Sequence, residues 1–149
     1  MTTVAYKSGV MAADRMACEG NTKYGRMTKI HRSRGYLLGF SGAADVAMAL
    51  LRWFENGADP AEWPDPHGED RTEASMLVVS PAGSVMCYER FPVPLIMEQE
   101  YHAIGSGRDF ALAVMHMGHD PIKAVEVACE LDAFSGGGID VIRLQDSRH

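Results

Sequence analysis

The chain of 149 residues reads as one layered α+β domain, 1–149. Three observations predict this. Apolar runs of strand length, broken by tight glycine turns, fill the first forty residues. The apolar period then becomes helical over Ser41 to Phe54, and again over two segments after Gly107. Between and after the helices the strand pattern returns. Helices grouped between runs of strands, rather than alternating singly with them, point to stacked layers and not to parallel βαβ units.

Taken in order, Thr3 to Tyr6 reads as a strand, Lys7-Ser8-Gly9 as a turn and Val10 to Ala13 as a second strand. Gly20 to Gly25 reads as a loop. Lys29 to His31 begins another strand, Gly35 breaks it, and Tyr36 to Phe40 is a buried strand. In the helix from Ser41 to Phe54, Val46, Leu50 and Phe54 share one face, with Ala43, Ala47 and Leu51 beside them. Ser41 is its candidate N-cap, Asp45 adds negative charge near its positive end, and Asn56-Gly57 ends it. Asp59 to Ser75 carries three prolines and many charges and reads as a loop anchored by Trp63. Met76 to Val79 and Ser84 to Tyr88 form a strand pair around Pro81-Ala82-Gly83; Phe91 to Pro94 is a proline-punctuated apolar patch; Tyr101 to Ile104 is a strand. After Gly105-Ser106-Gly107 a helix presents Phe110, Ala113, Val114 and Met117, and Gly118 stops it. Asp120-Pro121 opens the next helix, with aspartate as N-cap and proline at the first helical position. A glycine-rich turn from Phe134 to Gly138 leads into a closing strand, Ile139 to Leu144.

The bulk numbers narrow the function classes. Hydrophobic residues make up 46 % and charged residues 23 %, an ordinary soluble composition. A net charge of −6 argues against a nucleic-acid surface; Lys23, Arg26, Lys29, Arg32 and Arg34 cluster, but no aromatic platform interleaves with them. Cys18, Cys87 and Cys129 are widely spaced, which suits a reducing compartment. No signal peptide and no apolar run of membrane-spanning length is visible, so the expectation is a cytoplasmic protein without membrane contact. His116 and His119 straddle a helix end at Gly118, so no metal site is expected there, and no cofactor motif is present. Met11, Met48 and Met76 read as core filler.

The candidate chemistry begins at Met1-Thr2-Thr3. Removal of Met1 makes Thr2 an N-terminal threonine, whose hydroxyl and α-amine then sit on one residue. The amine has a reference pKa of about 7.7–8.0 and accepts a proton from the hydroxyl directly or through water. Asp14 follows an apolar strand, and Lys29 is a lysine that can stabilise the alkoxide with Asp14 as its partner. Ser106, Asp132 and Ser135 are side chains able to hold the amine, and the Gly42 N–H can serve an oxyanion. Each has a plainer reading: Asp14 as a strand-ending turn residue, Lys29 as a surface lysine, Ser106 as a helix N-cap.

In this order, Thr2-Thr3-Val4-Ala5, Gly9 to Arg15, Lys29, Leu37 to Asp45, Gly105-Ser106-Gly107 and Asp132 to Gly137 resemble the proteasome β-subunit family, including bacterial HslV. The resemblance implies a four-layer αββα sandwich of the N-terminal-nucleophile hydrolase type. It also implies a threonine peptidase: Thr2 as nucleophile, Lys29 and Asp14 as lysine and acidic partner, Ser106, Asp132 and Ser135 around the α-amine, and Gly42 as oxyanion donor. The substrate side-chain pocket falls near Ala17, Met27, His31 and Phe40. It implies peptide or unfolded-protein substrates and a homo-oligomeric ring or barrel. Where the family carries a second long helix, this chain has its proline-rich loop at 59–75; that helix helps build ring contacts, so its replacement argues against the usual ATPase unfoldase partner. A non-catalytic assembly scaffold, and a small-molecule amidase on the same fold, are the alternative readings.

Overall fold

The computed structural model describes residues 2–65 and 74–144. Strand β1 (Val4–Lys7) turns through Ser8 and Gly9, both at positive φ, and returns as β2 (Val10–Asp14). The hairpin pairs Val4 with Ala13 and Tyr6 with Met11. Beyond Met16 the chain forms a second hairpin, β3 (Met16–Glu19) and β4 (Thr22–Arg26). The loop expected over Gly20 to Gly25 is therefore largely strand. Every residue of β4 is exposed, so no buried face imposes the alternation that would mark it.

Next come β5 (Ile30–Ser33) and β6 (Tyr36–Gly42), then helix α1 (Ala44–Glu55). The helix starts three residues later than expected because Ser41 and Gly42 continue the ladder of β6, pairing with Ser75 and Ala74. Ala43, not Ser41, is the N-cap, and no side chain caps it. Asp59 caps a short 3₁₀ turn, Pro60–Glu62, by accepting from the Ala61 N–H. Trp63 packs edge-on against Trp53 at 4.8 Å between ring centres, as an anchor for this segment. Of the loop expected at 59–75, residues 66–73 lie outside the described residues, and Ala74 and Ser75 already belong to β7 (Ala74–Val79). No long helix occurs among its described residues.

The remaining elements are β8 (Val85–Tyr88), β9 (Leu95–Met97), β10 (Tyr101–Ile104), α2 (Arg108–His116), α3 (Pro121–Leu131) and β11 (Ile139–Arg143). The sequence left β9 unassigned because Pro92 and Pro94 precede it and Leu95 and Ile96 are exposed. Asp120 caps α3 through the Lys123 N–H at 2.8 Å, as expected of an Asp-Pro start.

Besides the two-stranded β3-β4 sheet, the described strands form two larger antiparallel sheets, in the orders β10-β1-β2-β11 and β5-β6-β7-β8-β9. Alternation along the strands sorts the core. Val4, Tyr6, Met11 and Ala13 meet Leu37, Leu77, Val79 and Cys87 between the sheets. On the outer face of the first sheet, Ala5, Ala12 and Ala103 leave room for α2 and α3, which bring Ala111, Met115, Ala124 and Val125. On the outer face of the second, Leu38, Phe40, Met76 and Val78 receive Leu50, Trp53 and Phe54 of α1. The layers are helix, sheet, sheet, helix, which is the αββα sandwich.

Gly39 lies where the two sheets approach each other closely. A Cβ there would lie 2.5 Å from Cγ1 of fully buried Val4. Gly39→Ala is expected to lower stability by about 1–3 kcal/mol through overpacking, read as a shift in urea midpoint with unchanged slope.

Candidate active site

The N-terminal end of β1, the C-terminal ends of β2 and β10, the segment before β5 and the turn after α3 converge at one edge of the sandwich. Antiparallel pairing does most of this. With Val4 opposite both Ala13 and Ile104, Thr2 and Thr3 must lie beside Asp14 and beside Gly105-Ser106-Gly107. Thr2, Thr3, Asp14, Lys29 and Ser135 are the buried polar residues of the described chain, and all five belong to this edge.

Asp14 is fully buried and accepts four hydrogen bonds. One carboxylate oxygen takes the Lys29 ammonium at 2.8 Å and the Thr3 N–H at 3.0 Å; the other takes the N–H groups of Gly136 at 3.0 Å and Met16 at 3.3 Å. Burying a carboxylate is costly unless its lone pairs are filled in this way. The plainer readings of Asp14 as a turn residue and Lys29 as a surface lysine do not hold: Lys29 is 6 % exposed and ion-paired.

On the other side of Thr2 runs a chain of hydroxyls. The Thr2 N–H donates to Ser106 Oγ at 2.9 Å, and Ser106 Oγ donates to Asp132 Oδ2 at 2.6 Å. Ser135 Oγ donates to the same oxygen at 2.6 Å. Its single proton is then committed, so in its 2.7 Å contact with Thr3 Oγ1 the threonine is the donor. Burial pushes the Asp132 carboxyl up, but hydrogen bonds from Ser106, Ser135 and the Phe134 backbone outweigh it, and the group lies below the ordinary carboxylate value. It is therefore ionised at neutral pH. Ser106 is not the cap of α2: Gly107 holds that position without a side-chain bond.

The glycines flanking Ser106 are there for close approach. Gly105 sits at φ +101°, and a Cβ on it would lie 2.1 Å from the Thr2 carbonyl oxygen. A Cβ on Gly107 would lie 2.0 Å from Thr3 Oγ1, and the Gly107 N–H donates to the Thr2 carbonyl at 3.0 Å. Gly105-Ser106-Gly107 thus clamps the Thr2-Thr3 backbone. Thr3, to which the sequence assigned no role, contributes both an N–H and a hydroxyl to the site.

A cavity of about 310 Å³ opens beside Thr2 and Lys29. Ala17, Met27 and Phe40 line it, and so does Gly42, at φ +103°. His31 does not line it. It sits on β5 facing Phe40 edge-on at 5.9 Å, and Phe40 is the residue that reaches the cavity. Burial lowers the His31 pKa, and its Nε2 is buried without a hydrogen-bond partner among the described residues. Cys18, Tyr24 and Met48 also line the cavity and were missed. Met48 is 37 % exposed, not core filler, because it projects from α1 at the cavity and away from the sheet. Apart from Lys29 no charged side chain among the described residues lines this space. His116 hydrogen-bonds Tyr101 at 2.8 Å, and no group of three metal-ligating side chains occurs among the described residues.

Comparison with solved structures decides the fold. HslV from Trypanosoma brucei superposes with a TM-score of 0.71 at 24 % identity, over 95 % of this chain and 97 % of that one. The chain has the HslV/proteasome β-subunit fold. The Thiobacillus denitrificans protein BPH in complex with epoxomicin shares the same fold, with a TM-score of 0.69 at 18 % identity over 97 % of this chain and 98 % of that one. Curated relatives are proteasome β-subunits. Proteasome subunit beta 1 of Hyperthermus butylicus is 34 % identical over 71 residues, 40 % of this chain and 35 % of that protein. Proteasome subunit beta 2 of Pyrobaculum arsenaticum is 28 % identical over 91 residues, 54 % of this chain and 39 % of that protein. The chain thus spans little more than a third of the length of the curated relatives it matches. No family model matches the sequence.

Proposed function

We propose that this chain is a threonine-type peptidase, acting as a single domain within a cytoplasmic homo-oligomer that encloses its sites. The observation that carries the reading is the position of the Thr2 nitrogen, 2.9 Å from Ser106 Oγ and one hydroxyl away from ionised Asp132, on the residue that also faces Lys29 across the cavity. After removal of Met1 that nitrogen is an α-amine. It takes the proton of the Thr2 hydroxyl as the oxygen attacks a peptide carbonyl. Lys29, held by Asp14, lowers the cost of the alkoxide, and the Gly42 N–H supports the oxyanion. Collapse of the tetrahedral adduct passes the proton from the ammonium to the leaving amine and leaves an ester on Thr2. Water, activated by the same amine, then releases the acid. The apolar cavity suits a bulky aliphatic or aromatic side chain on the acyl side of the scissile bond.

The test is covalent capture. A peptide epoxyketone reacts with both the hydroxyl and the free amine of an N-terminal threonine. Intact-mass measurement is expected to show a chain lacking Met1 that gains the full inhibitor mass, mapped to Thr2. A chain that keeps Met1 throughout, or that gains no mass, overturns the assignment.

A further inference from the structure

A second hollow, of about 240 Å³, lies beside the apolar cavity. Ser41 and Gly42 line both, so the two spaces meet at the end of β6. Thr2 lines the first, while Ser106, the partner of the Thr2 nitrogen, lines the second. Reaction chemistry distinguishes the sides. The leaving amine takes its proton from the Thr2 amine, so it departs on the side of that nitrogen, which is the Ser106 side. The acyl half remains with Lys29 and the apolar cavity.

The walls differ in kind. The second hollow carries the hydroxyls of Ser41, Ser75 and Ser106 and the charges of Glu89 and Arg108. Arg108 already has a carboxylate nearby, with its Nε 3.8 Å from Asp109. Glu89 lies 3.9 Å from the Cys87 thiol and acts electrostatically on His102, with no basic side chain in ion-pair distance among the described residues. Glu89 is thus the carboxylate that lines this hollow, and it stands outside any ion pair among the described residues.

We propose that the second hollow holds the residue immediately following the scissile bond, and that Glu89 selects a basic side chain there. This rests on the peptidase reading above. Glu89 is exposed, so the discrimination is modest, about two- to fivefold for lysine over alanine. Repulsion widens the gap between lysine and glutamate, and added salt narrows it.

The test uses the full chain and internally quenched peptides of one sequence, differing only in Lys, Ala or Glu after a fixed leucine. Mass spectrometry identifies the bond cut. The wild type is expected to cleave in the order Lys, Ala, Glu, with the spread shrinking at high salt. Glu89→Gln is expected to flatten the order and Glu89→Lys to invert it. Because each comparison is a ratio within one variant, altered folding or assembly cancels. Equal wild-type rates, or a lysine preference unchanged in Glu89→Gln, overturn the proposal. A peptide aminocoumarin, which has no residue after its scissile bond, separates the two levels. If the wild type cleaves it but does not discriminate among the quenched peptides, the subsite alone fails; if it cleaves nothing, the peptidase reading fails and the subsite with it.

Discussion

Thr2→Ala is expected to lower peptide hydrolysis by at least about a thousandfold while leaving the fold intact. The substitution removes the only atom in the proposed mechanism that bonds to the substrate, and loss of a covalent nucleophile leaves little more than binding and oxyanion stabilisation. It keeps the backbone contacts that hold this residue: the Thr2 N–H to Ser106 and the Thr2 carbonyl from Gly107. It also keeps Thr3, whose N–H and hydroxyl bind Asp14 and Ser135. Thermal unfolding and oligomer mass should therefore match the wild type within a few degrees. Thr2→Ser retains the hydroxyl and is expected to keep measurable activity. Peptide hydrolysis undiminished in Thr2→Ala would remove the threonine from the mechanism and leave the fold without its proposed chemistry.

The residues of the site were more legible in the sequence than the shape of the space beside them. Asp14 stood out as a carboxylate just after an apolar strand, while Lys29 entered through the family resemblance, and the structure pairs the two. Ser106 was ambiguous, since a serine before a helix is first of all a cap; only the three-dimensional position of Asp132 decides where its hydroxyl goes. Thr3 was invisible for a related reason: its role depends on Ser135, which lies 132 residues away in sequence. His31 failed in the opposite way. The resemblance placed it at the pocket, but the cavity is lined by Phe40, against whose ring His31 packs edge-on. Exposed β4 and the edge strand β9 carry no buried periodic face, so pattern reading had nothing to detect. The layered α+β class, in contrast, follows from period, because strands with two apolar faces must be covered on both sides; the order helix, sheet, sheet, helix is implied by the family resemblance.

The second large effect is an asymmetry within the Asp14–Lys29 pair. Asp14→Ala is expected to cost about 3–5 kcal/mol, because it strands a buried ammonium and three backbone N–H groups at once. Lys29→Met is expected to cost clearly less. Its methylene stem is conserved in shape, and the Asp14 carboxylate it leaves behind still accepts from Thr3, Met16 and Gly136. The double variant should be more stable than Asp14→Ala alone, since the orphaned charge is gone. With domain stability commonly about 5–15 kcal/mol, urea denaturation resolves these differences readily. Activity follows a different pattern: all three variants lose the ammonium or its anchor beside Thr2, so all three are expected to be nearly inactive. A role for the pair in holding the fold alone predicts that activity tracks stability. A role in both predicts that Lys29→Met remains folded and fails to hydrolyse peptides, and that the double variant regains stability without regaining activity. An Asp14→Ala protein as stable as wild type would mean that the carboxylate is not the buried hub that its four donors make it.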